Sequence, residues 1–254
     1  STGSDTTFYV GYGDASISTT QESKNAVWSN GYVGVWHMSD KSGNFLDSTI
    51  SGSTLSASGT PTYNVAGEVY NSVTFGTTAK YGKETTRLIT AVPLTISTWF
   101  NTTDSGSVQG LASMQLDNAY TSRFLLNLQS WKVNAQTAGG GVYASATTTA
   151  SFATSSWQYA TGVYSTATDR RVYLNAGNMV IDSQSATPVN ISAFWVGVAG
   201  QSPIVFPLIG SLDEIRIANV ARSFGWIWTE YNNQNSPSTF YTLGNATSSF
   251  VVVS

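Results

Sequence analysis

The chain has 254 residues, with 11 Lys and Arg against 14 Asp and Glu, a net charge of -3 and only 10% charged residues. It has no cysteine and a single histidine, which excludes disulfides, thiolate chemistry and multi-histidine metal centres. There is no basic run to suit nucleic acid and no apolar run near the ~20 residues of a membrane-spanning helix, while 41% hydrophobic and 13% aromatic residues are enough to bury a core and exclude disorder.

TFYVGY (7–12) is a short β-rich run ended by Gly13-Asp14, and a polar stretch follows to Asn25 with a helical turn near 22–26. YVGVWHM (32–38) is the next strand, with Val33, Val35 and His37 on one face and Tyr32, Trp36 and Met38 on the other. Residues 39–60 are rich in Ser, Gly and Thr, read as loop, and carry Asp40 and Asp47. SVTF (72–75) is a strand. PLTISTWFN (93–101) is the cleanest one in the first half, Leu94, Ile96, Thr98 and Phe100 alternating with Thr95, Ser97 and Trp99. Runs at 111–115, 123–128 and 131–136 follow at the short spacing of antiparallel meanders. Further strands are expected at 142–143, 157–164, 171–174, 179–182, 193–198 and 207–217. The one helical pattern is at 224–231, where Phe224, Ile227, Trp228 and Tyr231 recur at i, i+3, i+4 and i+7 and predict an inward face, with Ser223 as its cap. The tail SSFVVV (248–253) reads as a last strand or as one that pairs with another subunit. Many short strands with one late helix predict a single all-β, two-sheet antiparallel sandwich of jelly-roll type.

Within that frame Asp213 is the awkward residue. In 209–217, strict alternation puts Asp213 on the same face as Ile215 and Ile217, with Glu214 and Arg216 towards water. A carboxylate on an apolar face needs a cation, a cage of donors or a raised pKa. The only adjacent acids, Asp213 and Glu214, would then point to opposite faces, so no acid pair for glycoside hydrolysis is legible, and His37 has no triad motif around it.

The succession GVWHMSD, GNFLDSTISGST, VTFG, LTISTWF, SSWQYATGVYS, RRVYLNAG, FWVGVAG and IGSLDEIRIANVARS resembles a laminin-G-like domain of the concanavalin A-like lectin/glucanase superfamily, over 33–231. The front piece FYVGYGDASIS…AVWSNGYVGVWHM resembles the end of a DUF2341-like segment. Three parts follow: an extension over 1–31 packing on the sandwich, the sandwich itself over 32–244, and a tail over 245–254. The resemblance implies a concanavalin A-like jelly roll, with Trp36, Trp99 and Trp157 at core positions. It also implies a structural Ca²⁺ held by Asp213 with Asp47 of the early loop. The alternative for Asp213 is a carboxylate that caps loop amides or pairs with an arginine.

Relatives of this fold include binders, enzymes and structural proteins, so the fold alone decides little about function. The favoured expectation is a non-catalytic, extracellular binding or adhesion module for a glycan or surface polysaccharide. Tyr120, Trp131 and Tyr143 border mid-chain loops beside Asn118, Asn127, Gln129 and Asn134, and would stack on sugar rings. The alternatives are a virion or surface-filament subunit that self-assembles through its termini and, as a minor option, a glycoside hydrolase. No signal peptide is legible, so an exported protein would be met here in processed form. Sequons at Asn101, Asn190 and Asn245 are expected by chance in so Ser/Thr-rich a chain.

Overall fold

A computed structural model describes residues 9–76, 80–86, 89–117, 119, 121–200 and 205–245. The first elements are α1 (Lys24–Val27), β1 (Tyr32–Trp36), β2 (Ser56–Ser58), β3 (Thr62–Ala66), β4 (Asn71–Thr74) and β5 (Tyr81–Glu84). The meander follows as β6 (Leu94–Thr102), β7 (Gln109–Gln115), β8 (Arg123–Gln129), β9 (Lys132–Gly139) and β10 (Val142–Thr147). Then come β11 (Gln158–Thr166), β12 (Asp169–Leu174), β13 (Gly177–Asp182), β14 (Ala193–Val196), β15 (Gly210–Ala218), α2 (Phe224–Asn235) and α3 (Pro237–Phe240).

The strands form two antiparallel sheets. An eight-stranded sheet runs β13-β12-β11-β6-β15-β4-β3, with β1 also paired to β15, and a seven-stranded sheet runs β10-β9-β8-β7-β14-β5-β2. Their inner faces share one core. On β6 the alternation works as expected: Leu94, Ile96 and Phe100 enter the core, where they meet Phe124, Leu126 and Leu128 from β8. Tyr164 of β11 crosses between the sheets, its hydroxyl donating to the Leu125 carbonyl of β8 at 2.8 Å. That bond satisfies a phenol whose burial pushes its pKa far up.

The opposite face of the eight-stranded sheet is also covered. Trp99, Tyr159, Val163 and Tyr173 point outward there and are buried under α2, which lays Ile227 and Tyr231 on them. The helix starts as expected, with Ser223 Oγ accepting from Trp226 N at 3.3 Å. Only one stripe of α2 is inward, however. Phe224 and Trp228 are 55% and 50% exposed, so the expectation that both pack inward fails. A helix lying flat on a sheet touches it along one narrow stripe, and Ile227 and Tyr231 take that stripe.

Other departures are local. Residues 9–12 form no strand, and residues 9–27 lie exposed rather than packed on the sandwich. The first side chain of this segment to reach the domain is Trp28, set edge-on against Tyr32 at 5.5 Å. Strands β2, β3 and β5, absent from the sequence expectation, are short and polar, without a long apolar alternation. The expected tail strand at 248–253 lies outside the described residues. No helix among the described residues is long and apolar enough to cross a membrane.

Candidate functional site

Strand β15 does not alternate strictly. Its pairing with β6 jumps from Asp213↔Trp99 to Arg216↔Ser97, with Glu214 at φ 49°. This β-bulge sets two residues against one and reverses the facing of what precedes it. Ile215 and Ile217 remain in the core. Asp213, opposite the outward Trp99, lies on the outer face, and the expectation that it shares a face with the isoleucines is overturned. So is the expectation that Glu214 and Arg216 face water: Glu214 is buried, and the side chain of Arg216 is only 12% exposed.

Together these residues make a charged clasp beneath α2. Glu214 accepts from Arg216 Nη2 at 2.6 Å and lies 2.6 Å from His37 Nδ1. Arg216 Nη1 donates to Glu230 of α2 at 2.7 Å, and Tyr32 OH donates to the other Glu230 oxygen at 3.3 Å. Burial pushes the Glu214 carboxyl up, but the His37 bond and the Arg216 charge outweigh it and hold the group below its usual range. His37 therefore sits just past the end of β1, bonded to Glu214. It opens with Glu214, Arg216, Glu68 and Tyr70 on a cleft of about 490 Å³ between the 67–70 turn and α2.

Asp213 lies behind this cleft and is completely buried. Its Oδ2 accepts from Val69 N at 2.9 Å and pins the 67–70 turn. Its Oδ1 has no hydrogen-bond partner among the described residues. Desolvation raises its pKa to about 7, against the opposing Val69 hydrogen bond.

Asp47 is placed quite differently. Its residue pairs with Trp36 on the edge of β1 away from β15. Oδ1 accepts from Val35 N and Thr49 N, both at 2.9 Å, and Oδ2 from Thr49 Oγ1 at 2.6 Å, Ser51 Oγ at 3.0 Å and Ser53 N at 2.9 Å. Five protein donors use up the acceptor capacity that a cation would need. With β1 between the two aspartates, they do not fit a shared Ca²⁺, and no group of three His, Cys, Asp or Glu among the described residues could hold a metal. Asp47 caps loop amides, the role considered above as the alternative for Asp213.

The proposed sugar-stacking residues separate as well. Tyr120 lies outside the described residues. Trp131 occupies the two-residue β8–β9 hairpin loop, with Ser130 at φ 49° and Trp131 at φ 68°. Such loops favour Asn-Gly, because both residues must be left-handed. The ring is 49% exposed and backed by Phe152 at 6.5 Å. Tyr143, 51% exposed, is opposite Ala138 on β9. At ~3.3 Å per residue the two rings are roughly 20 Å apart along the sheet and cannot grip one sugar unit.

Tyr143 belongs instead to a grid on the outer face of the seven-stranded sheet. One cross-strand row reads Lys83, Trp195, Ser113, Leu125, Gln136, Ser145. The next holds Gln115, Arg123, Ala138 and Tyr143, and a third holds Asn127, Asn134 and Thr147. The Arg123 guanidinium lies 5.3 Å from the centre of the Tyr143 ring and donates from Nε to Gln136 Oε1 at 3.1 Å. Thr147 donates to Asn134 Oδ1 at 2.5 Å. Three buried polar atoms of the grid, Gln115 Nε2, Asn127 Oδ1 and Trp195 Nε1, have no hydrogen-bond partner among the described residues. Sequence reasoning found Tyr143, Asn127 and Asn134 but missed Arg123. Nothing in RFLLNLQ signals that this arginine lies buried beneath a tyrosine from another strand.

Comparison with known proteins places this arrangement in context. Residues 75–227 match the Laminin_G_3 family, described as the concanavalin A-like lectin/glucanases superfamily. No curated protein sequence matches the chain. Among solved structures, domain 4 of AbnA, a GH43 extracellular arabinanase from Geobacillus stearothermophilus determined with arabinotriose, superposes with a TM-score of 0.64 at 15% identity, covering 78% of this chain and 97% of that one. The binding domain of botulinum neurotoxin serotype D gives 0.62 at 12% identity, and that of Paraclostridial Mosquitocidal Protein 1 gives 0.60 at 14%. Both cover 80% of this chain, which spans about half their length (52%). At these identities the likeness is one of fold.

Proposed function

This chain belongs to the concanavalin A-like lectin/glucanases superfamily, and from that premise we propose that it is a non-catalytic carbohydrate-binding module acting outside the cell. The observation that carries this reading is the grid on the outer face of the seven-stranded sheet, whose strands β7–β10 carry no acid and whose nearby Asp117 is paired with Lys83 at 2.7 Å. Tyr143 offers a half-exposed ring held from beneath by Arg123. Gln136, Ser145 and Thr147 offer amide and hydroxyl groups on the same face. Sugar rings are recognised by that combination, an apolar face on an aromatic ring with hydroxyls on directional polar groups.

Its lack of acids supports binding without turnover. Glycoside hydrolysis needs two carboxyls facing one bond, and no outward position of β7–β10 is Asp or Glu. The 490 Å³ cleft does hold two carboxyls, Glu68 and Glu214, but both oxygens of Glu214 are engaged by His37 and Arg216. The extracellular setting draws on the Ser/Thr-rich, charge-poor composition and on the extracellular arabinanase whose domain 4 is similar.

The test is retention on gels of neutral polysaccharides, arabinan first, for the wild type and Tyr143→Ala. Retention is expected and should be weakened in the variant with an unchanged melting temperature. Equal retention of both proteins, or hydrolysis of the polymer, would refute the proposal. Assembly with other copies is a second reading, supported by the exposed Tyr9, Val10 and Tyr12, at 89%, 67% and 75%. An extended apolar segment of that kind can add as a strand to a neighbour, and a stable multimer on sizing would favour it.

A further inference from the structure

The outer side of α2 carries aromatic surface that the fold does not use. Phe224 and Trp228, one turn apart, are both about half exposed and stack on each other at 6.2 Å with 29° between their planes. Beside them the chain turns through Ser236 into α3, whose Phe240 is 45% exposed. Trp228, Thr229, Asn232, Thr239 and Phe240 enclose a groove of about 280 Å³. Large exposed aromatics grouped around a concavity mark a contact site more often than scattered ones do.

Three features say what the groove suits. None of its lining residues is ionisable, so nothing in it complements a charged ligand, and nucleic acid in particular would lack phosphate contacts. Its volume falls just below the ~300–1,000 Å³ range of drug-sized clefts, which leaves room for one or two small rings. A stable protein interface would need about 800 Å² on each partner. The polar atoms are also placed for use: Asn232 spends its Nδ2 on the Trp228 carbonyl at 2.8 Å, which orients the amide and leaves Oδ1 as an acceptor. The platform is rigid. Ile227 and Tyr231 anchor the inner stripe, Glu230 is bonded to Arg216, and Gln234 Oε1 accepts from Trp99 Nε1 at 2.8 Å. Because the inner stripe is fixed, the Trp228 ring is presented with little left to order on binding.

We propose that this α2–α3 groove is a second saccharide site, taking one or two uncharged sugar rings stacked on Trp228 with a hydroxyl donating to Asn232 Oδ1. It is separate from the Tyr143 grid, which lies on the outer face of the other sheet. It rests on the carbohydrate-binding reading above and adds a site to it.

The test compares wild type, Trp228→Ala, Trp228→Phe, Asn232→Ala and Tyr143→Ala on gels of neutral arabinan, xylan and β-glucan, with calorimetry on the matching trisaccharides. Trp228→Ala should bind about three- to tenfold more weakly, Asn232→Ala should also weaken, and Trp228→Phe should retain most of the binding. Trp228 is half exposed, so its variants should melt like the wild type; Asn232→Ala carries the test if they do not. Wild-type binding that Tyr143→Ala abolishes and neither Trp228→Ala nor Asn232→Ala changes would overturn this site and leave the first reading standing. A concentration-dependent dimer that Trp228→Ala dissolves would overturn it by making the groove an interface. No binding of wild type to any neutral glycan would remove both sites together.

Discussion

Replacing Asp213 by Asn should abolish most of the pH dependence of stability between about pH 5 and 8. Asp213 is fully buried, with one oxygen held by Val69 N and the other unpartnered. Burial raises its pKa to about 7 from an ordinary 3.8. A carboxyl whose pKa is higher in the folded state keeps its proton there while the unfolded chain has already lost it. Folding therefore binds a proton between about pH 4 and 7, and stability falls as pH rises through that window. The difference of about 3 pH units, at about 1.36 kcal/mol each, sets an upper scale of about 4 kcal/mol. Glu214 has the opposite sign: its pKa is lowered, so its contribution is present above the ordinary 4.5 and lost below it, outside the window used.

The assay is urea unfolding of wild type and Asp213→Asn at pH 5, 6, 7 and 8. The wild type should lose stability from pH 5 to about 7 and level off by pH 8, and the variant should lose much less. Asp40 and Glu68, whose pKa values burial also raises, tilt both proteins alike and cancel in the comparison. Equal slopes, or a wild type more stable at pH 8 than at pH 5, would refute the assignment. Stabilisation of the wild type by Ca²⁺ at pH 8, absent in the variant, would show that a cation and not a proton neutralises Oδ1.

Four further outcomes are expected. EDTA should leave the melting temperature unchanged by calorimetry, because Asp47 is saturated by five protein donors; Asp47→Ala, which strips those donors of their acceptor, should cost about 3 kcal/mol or more in urea. Glu214→Gln should destabilise by about 3–5 kcal/mol, since it breaks a buried pair and leaves Arg216 with only Glu230. Ser223→Ala should cost about 1 kcal/mol by removing the α2 cap, with no change in binding.

Much of the fold was legible because its strands obey one rule. Where one face meets the core, as on β6, the apolar residues alternate and the sequence displays them. Polar strands such as β3 and β5 were not legible, since neither period nor composition marks them. The candidate sites were legible only in part. Tyr143 stood out as an aromatic beside a loop, but its support comes from Arg123, twenty positions away on another strand. Trp228 followed the helical period so well that it read as core.

By itself the sequence determined the class of the molecule: two antiparallel sheets, a capped late helix, and a superfamily signature that ends in LDEIRI. Local periodicity, capping and turn chemistry are written in neighbouring residues, so they survive without coordinates. The tertiary structure alone decided what Asp213 and Glu214 are for. One left-handed residue, Glu214 at φ 49°, shifts the register of β15. That shift turns Asp213 away from the core and brings Glu214 to His37 and Arg216. A bulge depends on the pairing of a strand with its neighbour, and β6 is more than a hundred residues away in the chain.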